Sequence, residues 1–306
     1  MPDKRRCALQ PFVLIILFAG VTSVLSYGLM ELGPHLAPFQ QIIDDNKLKT
    51  GKQKRIISLS PAITETIVAL NAIDSLVGMS DYCVTPKSFT LLPKLGTALT
   101  PNFEAIANLQ PDLILTEATK HGHQSGLNTI APTIHLPWLT KDEVTSSIQR
   151  LGEITQSEKI AEKITDHLEQ HLTQQPPQRG PEVLLLSGLN TFNGAPMWYM
   201  KRNSLHGSAI HAAGARNAIN RDITGAPSIS IEELLRINPE IIVTIIPQEN
   251  FEQRKQSTYL QELKKLKTLK AVKNGKLSIM SGKSLLSTGP SIVTFSAALR
   301  EELNSL

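Results

Sequence analysis

Apolar residues in this chain fall either in short solid runs or at helical spacing, and the two kinds alternate. Arg55–Leu59 reads as a buried strand that runs into Ser60-Pro61, a capping residue followed by Pro at the first helical position. Ile63, Ile67 and Leu70 give the helix that follows an apolar face. Leu76–Met79 predicts a second strand and Ser80–Pro86 (S-D-Y-C-V-T-P) a loop. A helix reaching Ala131 and a strand at Thr133–Leu136 come next. Beyond the middle of the chain, Val183–Leu186 and Leu277–Met280 predict strands, Ser204–Ala213 a helix stopped by Gly214, and Gly289-Pro290 the start of a last helix. Strands and helices alternating at these lengths predict parallel sheets.

One pattern occurs twice. From Glu104 the chain reads E-A-I-A-N-L-Q-P-D-L-I-L-T, and from Glu232 it reads E-E-L-L-R-I-N-P-E-I-I-V-T. Each copy has a capping residue two positions before its Glu, Asn102 or Ser230, and a Pro seven positions after it, Pro111 or Pro239. The physical reading is a short helix stopped by the Pro, then a buried strand, Leu113–Leu115 or Ile241–Val243. Two copies 128 positions apart predict two similar lobes, because each unit needs its own sheet to bury its apolar run. Between them, Lys141 to about Thr173 contains no Pro and a single Gly, with apolar residues mostly at helical spacing. As one helix it would be about 50 Å long. The predicted fold class is therefore α/β, two Rossmann-like lobes with parallel sheets (55–139 and 181–306) bridged by a single long helix (140–175).

The N-terminus stands outside this pattern. Lys4, Arg5 and Arg6 precede an apolar run from Pro11 to Leu25, the pattern of a secretory signal peptide over residues 1–26. Extended to Met30, the run is about long enough to span a bilayer as an uncleaved anchor. Residues 27–54 read as a spacer. Cleavage after Ser26 removes three basic residues and one acid and takes the formal charge from +4 to +2, which is no nucleic-acid footprint. It also leaves Cys83 alone, so no intrachain disulfide can form, and a lone thiol in an oxidising compartment reads as buried. The expected location is periplasmic or otherwise extracytoplasmic.

Residues 55–303 resemble the periplasmic substrate-binding proteins of ABC importers for iron–siderophore chelates, haem and cobalamin. The resemblance rests on R-I-I-S-L-S-P-A-I-T-E, S-D-Y-C-V-T-P, both repeat copies, S-L-H-G-S-A-I-H-A-A-G-A-R-N and L-K-A-V-K-N-G-K-L, in that order. It implies a monomer that captures a metal chelate between its lobes and delivers it to a permease in the inner membrane. It also implies that Glu104 and Glu232 project from the lobe tips and pair with permease arginines, a suitable use of two charges on a rigid frame. On the residues alone, each Glu sits in a first helical turn, where a carboxylate stabilises the helix dipole by about 0.3–1 kcal/mol. The two roles are compatible.

A ligand site between lobes belongs at the C-terminal ends of their strands. That points to Ser60, Pro61, Tyr82, Trp198, Tyr199 and the segment Lys283, Ser284, Leu285, Leu286 and Ser287, together with the 117–124 loop. Aromatic faces suit a large flat chelate because they bury much area at little entropic cost. The tryptophans that line the pocket of cobalamin-binding relatives appear here as Ala98, Glu117 and approximately Ala226, which leaves iron–siderophore complexes and other chelates open as cargo. His121 and His123 (H-G-H) lack a carboxylate–histidine set at metal-binding spacing and read as an exposed polar loop. His206 and His211 read as helix-surface residues. The run 254–276 carries eight Lys or Arg residues and reads as a solvated face.

No nucleophile elbow, metalloprotease helix or phosphate loop occurs in the sequence, and no catalytic residue, metal or cofactor is assigned. The competing class is a secreted two-lobed enzyme, or a binder of free metal or haem. Neither the enzyme nor its chemistry gives the paired glutamates a role.

Overall fold

The computed structural model describes residues 53–85, 92–118, 124–173, 175–189, 196–222, 227–247, 253–282 and 285–306. Two sheets organise the chain. The first contains β1 (Ile56–Ser58), β2 (Leu76–Met79), β3 (Leu113–Glu117) and β4 (Thr133–Leu136) in the order β2-β1-β3-β4, all parallel. Its helices are α1 (Pro61–Ala69), α2 (Phe103–Asn108) and the short α3 (Gln124–Leu127). Ser60 caps α1 by accepting the Ile63 N–H, and Pro61 fills the first helical position, as the sequence pattern requires.

The second sheet runs β10-β9-β5-β6-β8, from β5 (Glu182–Ser187), β6 (Met197–Tyr199), β8 (Ser228–Ile229), β9 (Ile241–Pro247) and β10 (Leu277–Gly282). The strands β10, β9 and β5 are parallel, while β6 joins β5 antiparallel. The short β7 (Arg216–Asn217) pairs with the other end of β5. Solid apolar runs go to the strands buried on both faces: Ile241 to Ile246 in β9 are all buried.

The repeated unit has the same geometry in both lobes. Asn102 accepts the Ala105 N–H to cap α2, and Ser230 accepts the Glu233 N–H to cap α7 (Ile231–Ile237). Both helices end at a left-handed residue directly before the proline, Gln110 at φ 45° and Asn238 at φ 50°. Asn238 tolerates that conformation better than most residues, and its side chain accepts the Lys270 N–H at 2.8 Å.

The bridge is helical but is not a single helix. The long run divides into α4 (Lys141–Thr155) and α5 (Glu158–His171), because Gln156 turns left-handed at φ 54° and Ser157 starts a new helix. Lys141 and Asp142, at the start of α4, line the same surface hollow of about 590 Å³ as Glu169 and His171, at the end of α5. The two helices therefore fold back on one another. A methyl group on Gly152 would come within 2.5 Å of the Ala161 Cβ, so the glycine sets how closely they approach. Periodicity alone concealed this break, since apolar residues continue at helical spacing through the joint.

The lobes share one apolar core. A single cluster takes Ile56, Leu113 and Leu115 from the first sheet, Val183, Leu185 and Val243 from the second, and Ile148 and Ile164 from the helical pair. It also takes Ile210 from α6 (Leu205–Ala212) and Leu299 from α10 (Ile292–Ser305). Each such fully buried side chain contributes about 1.5–3 kcal/mol, so apolar burial stabilises the seam between the lobes. The remaining helices, α8 (Gln253–Lys265) and α9 (Lys270–Lys273), cover the outer face of the second sheet. Their lysines at 255, 264, 265, 270 and 273, and Lys267 in the link between them, are all exposed, the solvated face expected of the basic run.

Candidate functional site

Parallel pairing aligns the carboxyl ends of the first sheet. Ser58 lies opposite both Met79 and Leu115, so Ser60, the turn after β2 and Glu117 share one edge. The turn after β2 is tightly built. The Cys83 N–H donates to the Ser80 carbonyl, the Asp81 carboxylate accepts the Gly96 N–H, and the Lys94 ammonium donates to the carbonyls of Ser80, Asp81 and Cys83. Tyr82 rides on this turn 74% exposed. Cys83 below it is buried among Ser58, Thr64 and Ser80.

The second sheet presents its own carboxyl edge. Trp198 pairs with Ser187, the last residue of β5, and is 43% exposed. Alternation along β6 turns its neighbour Tyr199 to the opposite face, where it is 2% exposed within the second-lobe core. Tyr199 is thus a packing residue rather than a ligand-facing one.

The segment after β10 joins the two edges. Lys283 and Ser284 lie outside the described residues, as do His121 and His123. Leu285 is buried in the shared core, while Leu286 and Ser287 are partly exposed. The Ser287 hydroxyl donates to Glu65 Oε2 at 2.5 Å, and the Ser291 N–H donates to Glu65 Oε1 at 2.7 Å. Trp138 Nε1 donates to the Thr288 carbonyl at 2.9 Å. Leu285 and Ser287 therefore serve the seam between lobes. Desolvation pushes the Glu65 carboxyl above its usual range, opposed by these hydrogen bonds. A Cβ on Gly289 would meet that carboxyl group at 2.6–2.8 Å, so the chain passes closest to Glu65 where only glycine fits.

His206 and His211, expected on a helix surface, are buried at 2% and 3% exposure, because α6 packs against α10. His206 Nε2 lies 2.7 Å from the Leu285 carbonyl, with the ring edge-on to Phe295. Burial pushes this imidazole down, toward its neutral form.

Sequence reasoning placed Glu117 at the start of the candidate 117–124 loop, where cobalamin-binding relatives have a pocket tryptophan, but gave its carboxylate no role. Its Oε1 accepts the Ser60 hydroxyl at 2.5 Å at the head of α1, and desolvation pushes its carboxyl up. The repeat held the signal: the corresponding position in the second copy is Ile245, fully buried. An acid at a position the fold otherwise fills with an apolar side chain is there for another reason.

Glu104 and Glu232 are both exposed in the first turns of α2 and α7. The Ser230 hydroxyl and its own backbone N–H hold the Glu232 carboxyl below the usual range. Its neighbour Glu233 takes Arg221 at 2.7 Å and Arg236 at 3.3 Å. Among the described residues no basic side chain pairs with either Glu104 or Glu232. Also among the described residues, no His, Cys, Asp and Glu group could hold a metal ion, and no helix is long and apolar enough to cross a membrane.

Two sheets with a helical pair between them in sequence, packed on one shared apolar core, form a two-lobed α/β frame. Residues 56–282 match the periplasmic binding protein family, and the chain belongs to it. It is 25% identical over 199 residues to a vitamin B12-binding protein of Pectobacterium atrosepticum, covering 62% of this chain and 71% of that one. It is 27% identical over 265 residues to an Fe(3+)-citrate-binding protein of Bacillus subtilis, covering 78% and 77%. Among solved structures, an ABC transporter substrate-binding protein from Listeria monocytogenes superposes with a TM-score of 0.68 at 21% identity, over 83% of this chain and all of that one. These relatives are binding proteins, not enzymes.

Proposed function

We propose that this chain is the substrate-binding component of an ABC importer, capturing a metal chelate between its lobes and handing it to a membrane permease through Glu104 and Glu232. The observation that carries the reading is the pair of glutamates. They occupy equivalent positions on twin helices, remain exposed, and are unpaired among the described residues while Glu233 beside one of them binds two arginines. Two unneutralised carboxylates fixed on a frame with a shared core are suited to register a partner carrying two cations. Tyr82 and Trp198, both exposed, supply aromatic surface for the cargo, with Ser60, Pro61 and Leu286 as the further candidate lining among the described residues. An extracytoplasmic location follows from this role and from the basic-then-apolar N-terminus.

The test uses Glu104→Ala together with Glu232→Ala. Chelate binding to the purified protein should be unchanged, while uptake by cells carrying the cognate permease should fall at least tenfold. Unchanged uptake with intact binding removes the docking role.

A further inference from the structure

We propose that Glu117, held by Ser60 at the carboxyl edge of the first sheet, is a specificity-determining residue that favours chelates bearing an ammonium or similar N–H donor and disfavours multiply anionic ones. The inference rests on the chelate-binding reading above and names the charge class of the cargo.

The geometry fixes which way the hydrogen bonds run. The Ser60 hydroxyl has one proton, and its oxygen already accepts the Ile63 N–H at 3.3 Å as the cap of α1. Its proton therefore goes to Glu117 Oε1, which is an acceptor. The second oxygen takes no hydrogen bond from a described residue. No described basic side chain forms an ion pair with the carboxylate. Lys94, the base that braces the Tyr82 turn on this edge, is engaged by three backbone carbonyls. The carboxylate is thus partly desolvated, with no donor to its second oxygen and no cation supplied to it by the described residues.

Such a group costs free energy until a donor reaches it. Its elevated pKa is the same shortage expressed as proton affinity. Nothing in the fold demands an acid here, since Ile245 fills the equivalent place in the second lobe. The exposed Tyr82 on the same edge and the exposed Trp198 of the second lobe support the same charge preference, because aromatic faces attract cations. A cargo carrying an ammonium meets one open carboxylate oxygen and two electron-rich faces. A cargo carrying several carboxylates meets a charge of its own sign.

The full-length mature protein is titrated with ferric ferrioxamine B, a trihydroxamate with a pendant ammonium, and with ferric citrate and haem, whose free groups are carboxylates. Wild type, Glu117→Gln and Glu117→Ala are compared, each first shown by thermal melting to be folded. Wild type should prefer ferrioxamine B. Both variants should lose about 10- to 100-fold in affinity for it, the span expected of one hydrogen bond to a charged group, while holding or gaining affinity for ferric citrate and haem. A preference that the variants leave unchanged, or a wild type that prefers the carboxylate-bearing chelates, overturns the role of Glu117 and leaves chelate transport standing. If no chelate binds folded wild-type protein, the transport reading falls and this inference falls with it.

Discussion

Replacing Glu65 tests whether a single buried carboxyl group holds the lobes together. Glu65 is on α1 of the first lobe, and its two oxygens accept from the Ser287 hydroxyl and the Ser291 N–H of the second. Glu65→Ala leaves both donors without an acceptor inside the seam. Each unmet donor costs about 1–3 kcal/mol, and since the side chain that required desolvation is also gone, the lower half of the summed range applies, about 3 kcal/mol. In a chain of this size that is a fall in Tm of roughly 6–9 °C. Glu65→Gln should cost less than about 1 kcal/mol, because its carbonyl still accepts the Ser291 N–H and its amide can donate to the Ser287 oxygen. The pH dependence has a definite sign. Folding raises this carboxyl above its ordinary 4.5, so its stabilising contribution is complete below that value and is lost as pH rises through the folded one. Wild type should therefore lose ground to Glu65→Gln as pH rises, its advantage being largest near pH 4.5 and below and shrinking at higher pH. Glu117 is also raised but is present in both proteins, and cancels. Urea unfolding followed by Trp138 fluorescence in a Trp198→Phe background suits the measurement, since Trp138 is 6% exposed and donates to Thr288 in the same segment. If Ala and Gln prove equally costly, or the wild type–Gln difference is flat with pH, the carboxyl does not act as described.

Other expected outcomes are independent of that seam. Trp198→Ala should weaken chelate binding while changing stability by less than about 1 kcal/mol, whereas Tyr199→Ala should cost about 3–5 kcal/mol in urea unfolding, as its neighbour's burial in the core requires. Tyr259→Phe should cost about 0.5–1.5 kcal/mol, because Tyr259 is 1% exposed and its hydroxyl lies 3.0 Å from Thr244, in a setting that pushes its pKa up to about 12. Gln156→Gly should raise stability by about 1 kcal/mol by relieving the left-handed joint between α4 and α5, and a calorimetric Tm that falls instead would contradict that joint. Gly152→Val should destabilise by about 1–3 kcal/mol through contact with Ala161.

The strands and caps were legible because their signals are local. Solid apolar runs, Ser60-Pro61 and the twin helix–strand units need only a few neighbouring residues to be read, and the structure places them where those residues stand. The bridge was misread because its apolar spacing is continuous and the break depends on the backbone of one residue, Gln156, turning left-handed. Site residues were legible in outline only. Tyr82 and Trp198 stood out as rare aromatics beside strand ends, but which face Tyr199 takes depends on the register of β6 with β5. Glu65 and Glu117 are single acids whose partners lie 222 and 57 residues away, a separation no local pattern reports.

The shared core also bears on the order in which the chain can fold. Glu65, Trp138 and α6 all wait for residues after 285, and α10 at the very end of the chain completes the cluster that the first strand begins. Contacts of such sequence separation form late, because loop closure must precede them. A chain emerging N-terminus first is therefore expected to stay open, with its first lobe unfinished, until the residues of α10 have been made. Under the proposed extracytoplasmic role, that delay would keep the unfolded chain available to the export machinery. A version truncated after Ser281 should remain protease-sensitive throughout residues 55–140; a protected first lobe in that truncation would show that the halves fold separately.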